Sequence, residues 1–300
     1  MNVLAVVVTH NRRELLARCL DHIQLQDGHR PALLVIDNAS SDGTVEMLRA
    51  RGVDFITQEN VGSAGGWHRG IQVALKGGYD AAWLMDDDGY PDRAALAALV
   101  KAMRPGVACA SSVVLREDSR GHFVFPFPRL DAGGLPRIFA CPRKISSLGE
   151  LRKIAGDGTY PFAHLFNGAL VSMEAVQSIG NVDRRFFIYG DEVDYFFRLR
   201  TVGEVFSVLD AWHFHPDVSG RPYSPIKVYY YVKNAFILHR RYFDFPQLRN
   251  GLAILAALGR TAGRNGVREA MSYLFGRNAP IMARAIRRGL GGVPGKDFDE

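Results

Sequence analysis

Four apolar runs near the N-terminus, VLAVVVTH, PALLVIDNAS, VDFITQEN and DAAWLMDD, alternate with helix-like stretches, and each ends in polar residues. Strands that alternate with helices in this way predict a parallel sheet with helices on both faces. Ligands of such sheets collect at the carboxyl ends of the strands, where the loops converge. That places Thr9 and His10, Asp37 and Asn38, Asn60, and Asp86, Asp87 and Asp88 along one edge. The stretch VGSAGGWHRGIQVALKGG reads as a glycine-rich turn feeding a helix, and Ser41 or Asp42 is suited to cap the helix in SDGTVEMLRARG.

Beyond this alternation the pattern changes. Residues 112–159 are rich in Pro, Gly and Arg and predict short strands and long loops, as in a lid or an acceptor-facing region. FNGALVSMEAVQSIG reads as a strand and a helix, RFFIYGDEVDYFFRLRTVG as an apolar turn before an amphipathic helix, and EVFSVLDAWHFHP as a strand leading to histidines. From Val228 onward the pattern is helical and broken by glycines. The expected division is therefore residues 1–225 and 226–300, and 300 residues at 47% hydrophobic content can supply both cores. Three cysteines without metal-ligand spacing suit a reducing compartment. The first apolar run is too short for a signal peptide and no window could span a bilayer, so a cytoplasmic protein is expected. The net charge of +6 is concentrated late, at Arg260, Arg264, Arg268, Arg277, Arg284, Arg287 and Arg288 against Glu269. Such a tail would lie on anionic lipid, touch nucleic acid, form an oligomer contact, or simply be solvated.

The acidic triplet in WLMDDDGYP poses the sharpest chemical question, because adjacent carboxylates repel and resist burial. A solvated turn is one solution, given Gly89 and Pro91. A divalent cation is the other, with Asp86 and Asp88 on one side of an extended segment and Asp87 on the other. Thr9 and Asp37 would hold a nucleotide base and ribose, or serve as a helix cap and an Asx turn. In NVGSAGGWHRG the glycines serve close approach to a ligand or tight helix packing, and Arg69 would reach a phosphate. The dinucleotide-binding glycine pattern is not matched. In YGDEVDYFFR, capping explains Asp191, and Glu192 is the candidate general base. His213 and His215 alternate on one strand face, where either would be structural or complete a metal shell.

The ordered set VVVTHNR, VIDNASSDGT, ENVGSAGGWHRG, WLMDDDG, FNGAL, FIYGDEVDYFFR and AWHFHP, over about residues 3 to 220, resembles inverting glycosyltransferases of family 2. Within that family it is most similar to bacterial galactofuranosyltransferases. The resemblance implies a GT-A fold, a Rossmann-like, mainly parallel sheet with helices on both faces, followed by a helical C-terminal region. It implies a UDP-galactofuranose donor, Mn²⁺ or Mg²⁺, a lipid-linked or polysaccharide glycan acceptor, and a peripheral position at the inner membrane face, with no nucleic acid. By the same resemblance Thr9, Asn11, Arg12, Asp37, Asn38, Asn60, Gly65, Arg69, Asp86 and Asp87 would serve the nucleotide-sugar. Asp86, Asp88 and His215 would hold the metal, and Trp67, Asn167, Asp194 and His213 would face the acceptor, with Lys233 and Asn234 nearby. Glu192 stands where the family places its base, although many members carry Glu-Asp where this chain has Asp191-Glu192. Rhamnosyl transfer from dTDP-rhamnose shares much of the pattern. A sugar-nucleotide pyrophosphorylase would need an N-terminal glycine-rich basic loop, which VVVTHNRREL is not. A nucleic-acid-binding protein would need neither DDDG nor GDEVD.

Overall fold

The computed structural model describes residues 1–298; Asp299 and Glu300, the end of the expected C-terminal region, lie outside the described residues. The chain forms two compact units, one of residues 1–182 and 195–217, the other of residues 183–194 together with the chain from Val218 onward. Residues 183–194 thus group with the C-terminal helices.

The strands are β1 (Val3–Thr9), β2 (Ala32–Asp37), β3 (Asp54–Thr57), β4 (Ala81–Asp86), β5 (Tyr90–Pro91), β6 (Val107–Arg116), β7 (His122–Pro128), β8 (Lys144–Ser147), β9 (Thr159–Tyr160), β10 (Asn167–Ser172) and β11 (Glu204–His215). The first unit carries helices α1 (Arg13–Gln24), α2 (Thr44–Ala50), α3 (Gly62–Lys76), α4 (Ala95–Ala102), α5 (Leu148–Ile154) and α6 (Met173–Ile179). Helix α7 (Asp191–Leu199) contributes its first residues to the second unit and the rest to the first. The second unit is otherwise built from α8 (Pro225–Tyr242), α9 (Pro246–Asn265), α10 (Val267–Phe275) and α11 (Ala279–Leu290).

The sheet runs in the order β3-β2-β1-β4-β10-β6-β11-β5. It is parallel from β3 to β4, as the alternating pattern requires, and β10 then pairs antiparallel with both β4 and β6. The sheet is therefore mixed rather than parallel throughout. Register carries β1 and β2 to the same level, with Thr9 opposite Asp37 and Val8 opposite Asp86, which gathers the polar strand ends. Trp83, Leu16, Leu20, Leu96 and Leu99 fill the core beneath.

Most of the glycine-rich stretch is helix rather than turn: Gly65, Gly66 and Gly70 lie inside α3, Gly62 opens it with φ 75, and Gly77 and Gly78 follow its end. A Cβ on Gly66 would come within 2.5 Å of Val8, and one on Gly70 within 2.2 Å of Val6. These positions are glycine because α3 presses directly onto β1. The second unit has its own core, in which Tyr229, Tyr230, Val232 and Phe236 of α8 meet Ala257, Tyr273 and Met282 from the following helices. Among the described residues, no helix is long and apolar enough to cross a membrane.

The same substitution should have opposite effects in the two settings. Gly70→Ala should lower stability by about 1–3 kcal/mol through overpacking. Gly263→Ala in α9, where a Cβ meets nothing within 4 Å, should raise it by up to about 1 kcal/mol. Urea unfolding of both variants checks the pair; equal effects would contradict the close approach of α3 to β1.

Candidate active site

The polar ends of β1, β2 and β4 are tied together by their own side chains. Thr9 is buried and its hydroxyl donates to Asp87 Oδ2 at 2.7 Å. Asn11 adopts a left-handed backbone, and its Oδ1 accepts from the Ser41 N–H at 2.7 Å, linking the loops after β1 and β2. Asp37 is fully buried; one oxygen accepts from the Ser40 N–H at 3.1 Å, and its Oδ2 has no hydrogen-bond partner among the described residues. A buried acceptor without a donor is costly and fits a site completed by a ligand N–H or hydroxyl. Asn38 is held by Gln58 at 2.8 Å and Gly62 O at 3.3 Å, and Asn60 accepts from the Gly62 N–H at 3.1 Å at the start of α3.

Strand β4 stops at Asp86, so the simple alternation expected for the triplet does not hold beyond that point. Asp87 and Asp88 share one cation: Arg12 Nη1 lies 2.8 Å from Asp87 Oδ1 and 3.0 Å from Asp88 Oδ2. Burial raises the pKa of Asp87, and Arg12 and the Thr9 hydroxyl only partly offset it. Burial of Arg12 works against its charge, but Asp87 and Asp88 prevail and its pKa is raised.

His215 Nε2 lies 2.9 Å from Asp88 Oδ1, while its Nδ1 is 2.7 Å from Pro216 O. A carbonyl only accepts, so Nδ1 carries a hydrogen, and a ring with no second hydrogen would present a lone pair at Nε2. A lone pair facing a carboxylate oxygen needs a proton or a metal ion between them. Among the described residues no three such groups converge to hold an ion, so the expected trio with Asp86 is not assembled in full.

His213, expected to face the acceptor, is wholly buried, and neither ring nitrogen has a partner among the described residues. Burial drives its pKa down to about 3, so the ring is neutral. It fills the space where a Cβ on Gly89 would fall, 2.2 Å away, and lies behind the acidic turn as a packing element. Trp67 is likewise core, stacked on Phe166 at 4.6 Å. Gly65 packs on Val61, Arg69 is exposed and bonds Gln72 on its own helix at 3.0 Å, and Asn167 is buried with an unpartnered Oδ1 beside β4.

The second unit presents the other carboxylates. The chain before α7 carries Phe187, Tyr189 and Gly190 at φ 65, 59 and 92. Bulky residues in left-handed conformations cost about 1–3 kcal/mol each and persist where surroundings enforce them. Asn234 on α8 does so: its Nδ2 reaches the carbonyls of Phe186 at 3.1 Å, Ile188 at 3.0 Å and Tyr189 at 2.7 Å. Sequence patterning gives no sign of this clamp. Asp194 is buried and bound by Arg241 at 3.1 Å and the Tyr242 hydroxyl at 2.7 Å, which makes it a structural anchor. Lys233 is fully buried and paired with Asp297 at 2.6 Å. Glu192 is half-buried. Asp191 is buried with Oδ2 unpartnered, and burial pushes its pKa up to about 7, against the backbone N–H groups at the helix start. A carboxyl poised near neutral pH is a common property of proton-transfer sites.

The "Glycosyl transferase family 2" model matches residues 4–139. Galactofuranosyltransferase GlfT1 of Mycolicibacterium smegmatis is 38% identical over 220 residues, covering 71% of this chain and 70% of that protein. GlfT1 of Mycobacterium tuberculosis is 38% identical over 225 residues, covering 72% and 70%. Among solved structures, mannosyltransferase PcManGT from Pyrobaculum calidifontis, in complex with GDP-Man and Mn²⁺, superposes with a TM-score of 0.55 at 19% identity over 96% of this chain and 80% of that one. S. aureus TarS 1-349 gives 0.57 at 13% identity over 98% and 81%. These likenesses establish the GT-A type fold.

Asp191 also makes stability depend on pH. Its folded pKa lies above the unfolded value of about 3.9, so the native state binds the proton more tightly and stability falls as pH rises from about 4 to 7. Asp191→Asn removes that loss and should be more stable than the parent by roughly 2–3 kcal/mol more at pH 8 than at pH 5. Denaturant titrations at both pH values test this; a gain independent of pH would contradict the buried, protonatable carboxyl.

Proposed function

Because the chain belongs to glycosyltransferase family 2, we propose that it transfers galactofuranose from UDP-galactofuranose to a hydroxyl of a lipid-linked glycan, with inversion at the anomeric carbon. The observation that carries this reading is the strand edge where the unpartnered Asp37 oxygen joins Asp87, Asp88 and His215. Asp37 would accept from the uracil ring N–H or a ribose hydroxyl, and Asp87, fixed by Thr9, would face the ribose or sugar. Asp88 and His215 would hold a divalent ion, with Asp86 moving in as a further ligand. When bound, that ion supplies Lewis-acid neutralisation of the charge growing on the departing diphosphate. His215 is oriented for this by Pro216 O, and Asp88 keeps one oxygen directed at the ring.

Glu192 removes the proton from the acceptor hydroxyl, whose oxygen forms the new bond as the bond to UDP breaks. It is reachable where Asp191 is buried, and Asp191, near its pKa of about 7, positions the start of α7. The donor sugar is supported by the identity shared with galactofuranosyltransferases.

A membrane-bound acceptor is supported by α10. Val267, Met271, Leu274 and Phe275 recur at helical spacing on one stripe and are exposed, Phe275 at 85%, beside the exposed Arg268. An apolar stripe flanked by positive charge suits the surface of an anionic bilayer.

Three measurements test the proposal. UDP release should occur with UDP-galactofuranose and Mn²⁺ and be absent with UDP-glucose; turnover with dTDP-rhamnose instead would overturn the sugar and keep the fold. Glu192→Gln should cut kcat roughly 10²–10⁴-fold while donor affinity holds. Near-normal turnover in this variant, with loss in Asp191→Asn, would exchange the two roles. Leu274→Asp with Phe275→Asp should abolish co-sedimentation with anionic vesicles; retained binding would remove α10 from the membrane contact.

A further inference from the structure

We propose that Arg12 is an internal counter-cation that occupies the acidic triplet in the metal-free protein and competes with the divalent ion for Asp88. The inference rests on the metal-site reading above and concerns how that site is regulated.

One guanidinium nitrogen bridges two carboxylates that are themselves nearly inaccessible: side-chain exposure is 3% for Asp87 and 5% for Asp88, against 42% for Arg12. The acids are fixed in the turn, and the cation reaches them from the open side. Arg12 stands at the N-terminal boundary of α1, where its side chain caps nothing. Nothing in its helix therefore holds it on the acids except their charge. Asp88 is divided between two partners, with Oδ2 on Arg12 and Oδ1 on His215. A divalent ion at Asp88 and His215 would bring two further positive charges close to the guanidinium, and like charges at that separation repel strongly in a partly desolvated site.

Arg12 then has reason to leave, and Asp87 keeps a partner when it does, because Thr9 continues to donate to its other oxygen. The released guanidinium has the geometry to bind a phosphate oxygen pair, so the diphosphate of a nucleotide-sugar would take it up. Metal and donor thereby exchange places with one side chain. In their absence the same side chain keeps buried carboxylates from repelling one another.

The test uses the full chain with Arg12→Met and Arg12→Gln, the second retaining a hydrogen-bond donor without charge. Free Mn²⁺ is read by electron paramagnetic resonance during titration, and melting temperature is followed with and without Mn²⁺. Both variants should bind Mn²⁺ about tenfold more tightly than the parent, since a repelling charge is gone. Both should melt lower than the parent without metal and gain more from its addition. Affinity equal to or weaker than the parent in both variants overturns the proposal, as does an absence of Mn²⁺ binding in all three chains. Turnover of UDP-galactofuranose by the parent is measured beside this. Parent turnover together with no gain in Mn²⁺ affinity in the variants removes the counter-cation role alone, and no turnover with any donor removes the transferase reading.

Discussion

Carboxylates at the end of a buried strand cannot stay charged without positive charge nearby, and the architecture of the first unit answers that requirement. The turn after β4 supplies Asp87 and Asp88, the end of β1 and the loop after it supply Thr9 and Arg12, and the end of β11 supplies His215. These three pieces are far apart in sequence. They meet because β1 lies beside β4 and because β5, directly after the acidic turn, pairs with the end of β11. Burial raises the proton affinity of Asp87, and Arg12 and Thr9 oppose it. The fold is thus bound to its chemistry through electrostatics: a sheet order that did not bring these loops together would leave two buried carboxylates unsupported.

Close packing sets how precisely the edge is held. Gly66 and Gly70 let α3 rest on Val8 and Val6 of β1, which fixes the strand carrying Thr9. Behind the acidic turn, the His213 ring takes the volume that a side chain at Gly89 would need. An aliphatic residue could fill that volume, but the ring also places a neutral polar group near Ser112 and Gly168, where a Cβ on Gly168 would fall 3.1 Å from Nδ1. Glycine at position 168 is required twice over, by its φ of 85 and by this contact.

Strand and helix alternation made the first four strands, the edge they form and the acidic triplet legible in the sequence, because period and turn chemistry are local signals. Glu192, Asp191 and His215 are candidates through motif order and the family resemblance alone. What stayed hidden depends on long-range geometry. The antiparallel insertion of β10 between β4 and β6 leaves no mark in FNGALVS, since a buried strand looks the same in either direction. The glycines of α3 read as a turn because glycine usually marks one, and the choice the sequence left open between ligand approach and helix packing is decided for Gly66 and Gly70 by the proximity of β1. Trp67 and His213 looked exposed to ligand by position, yet each lies inside the core, where a large ring fills volume.

The second unit shows why a carboxylate pair can be presented by an unfavourable backbone. Phe187 and Tyr189 sit in left-handed conformations that a short loop would not keep by itself. One amide of Asn234 gathers three carbonyls from that loop, and Gly190 must lack a side chain because a Cβ would touch Asn234 at 3.0 Å. Asp194 then pins the first turn of α7 to Arg241 and Tyr242 on α8. The strain in the loop is therefore offset by hydrogen bonds to a single helix. That helix also carries the tyrosines at the centre of this unit's core. Displacing α8 would release the loop and the orientation of Asp191 and Glu192 with it, so the core of the second unit is part of the machinery that aims the carboxylates.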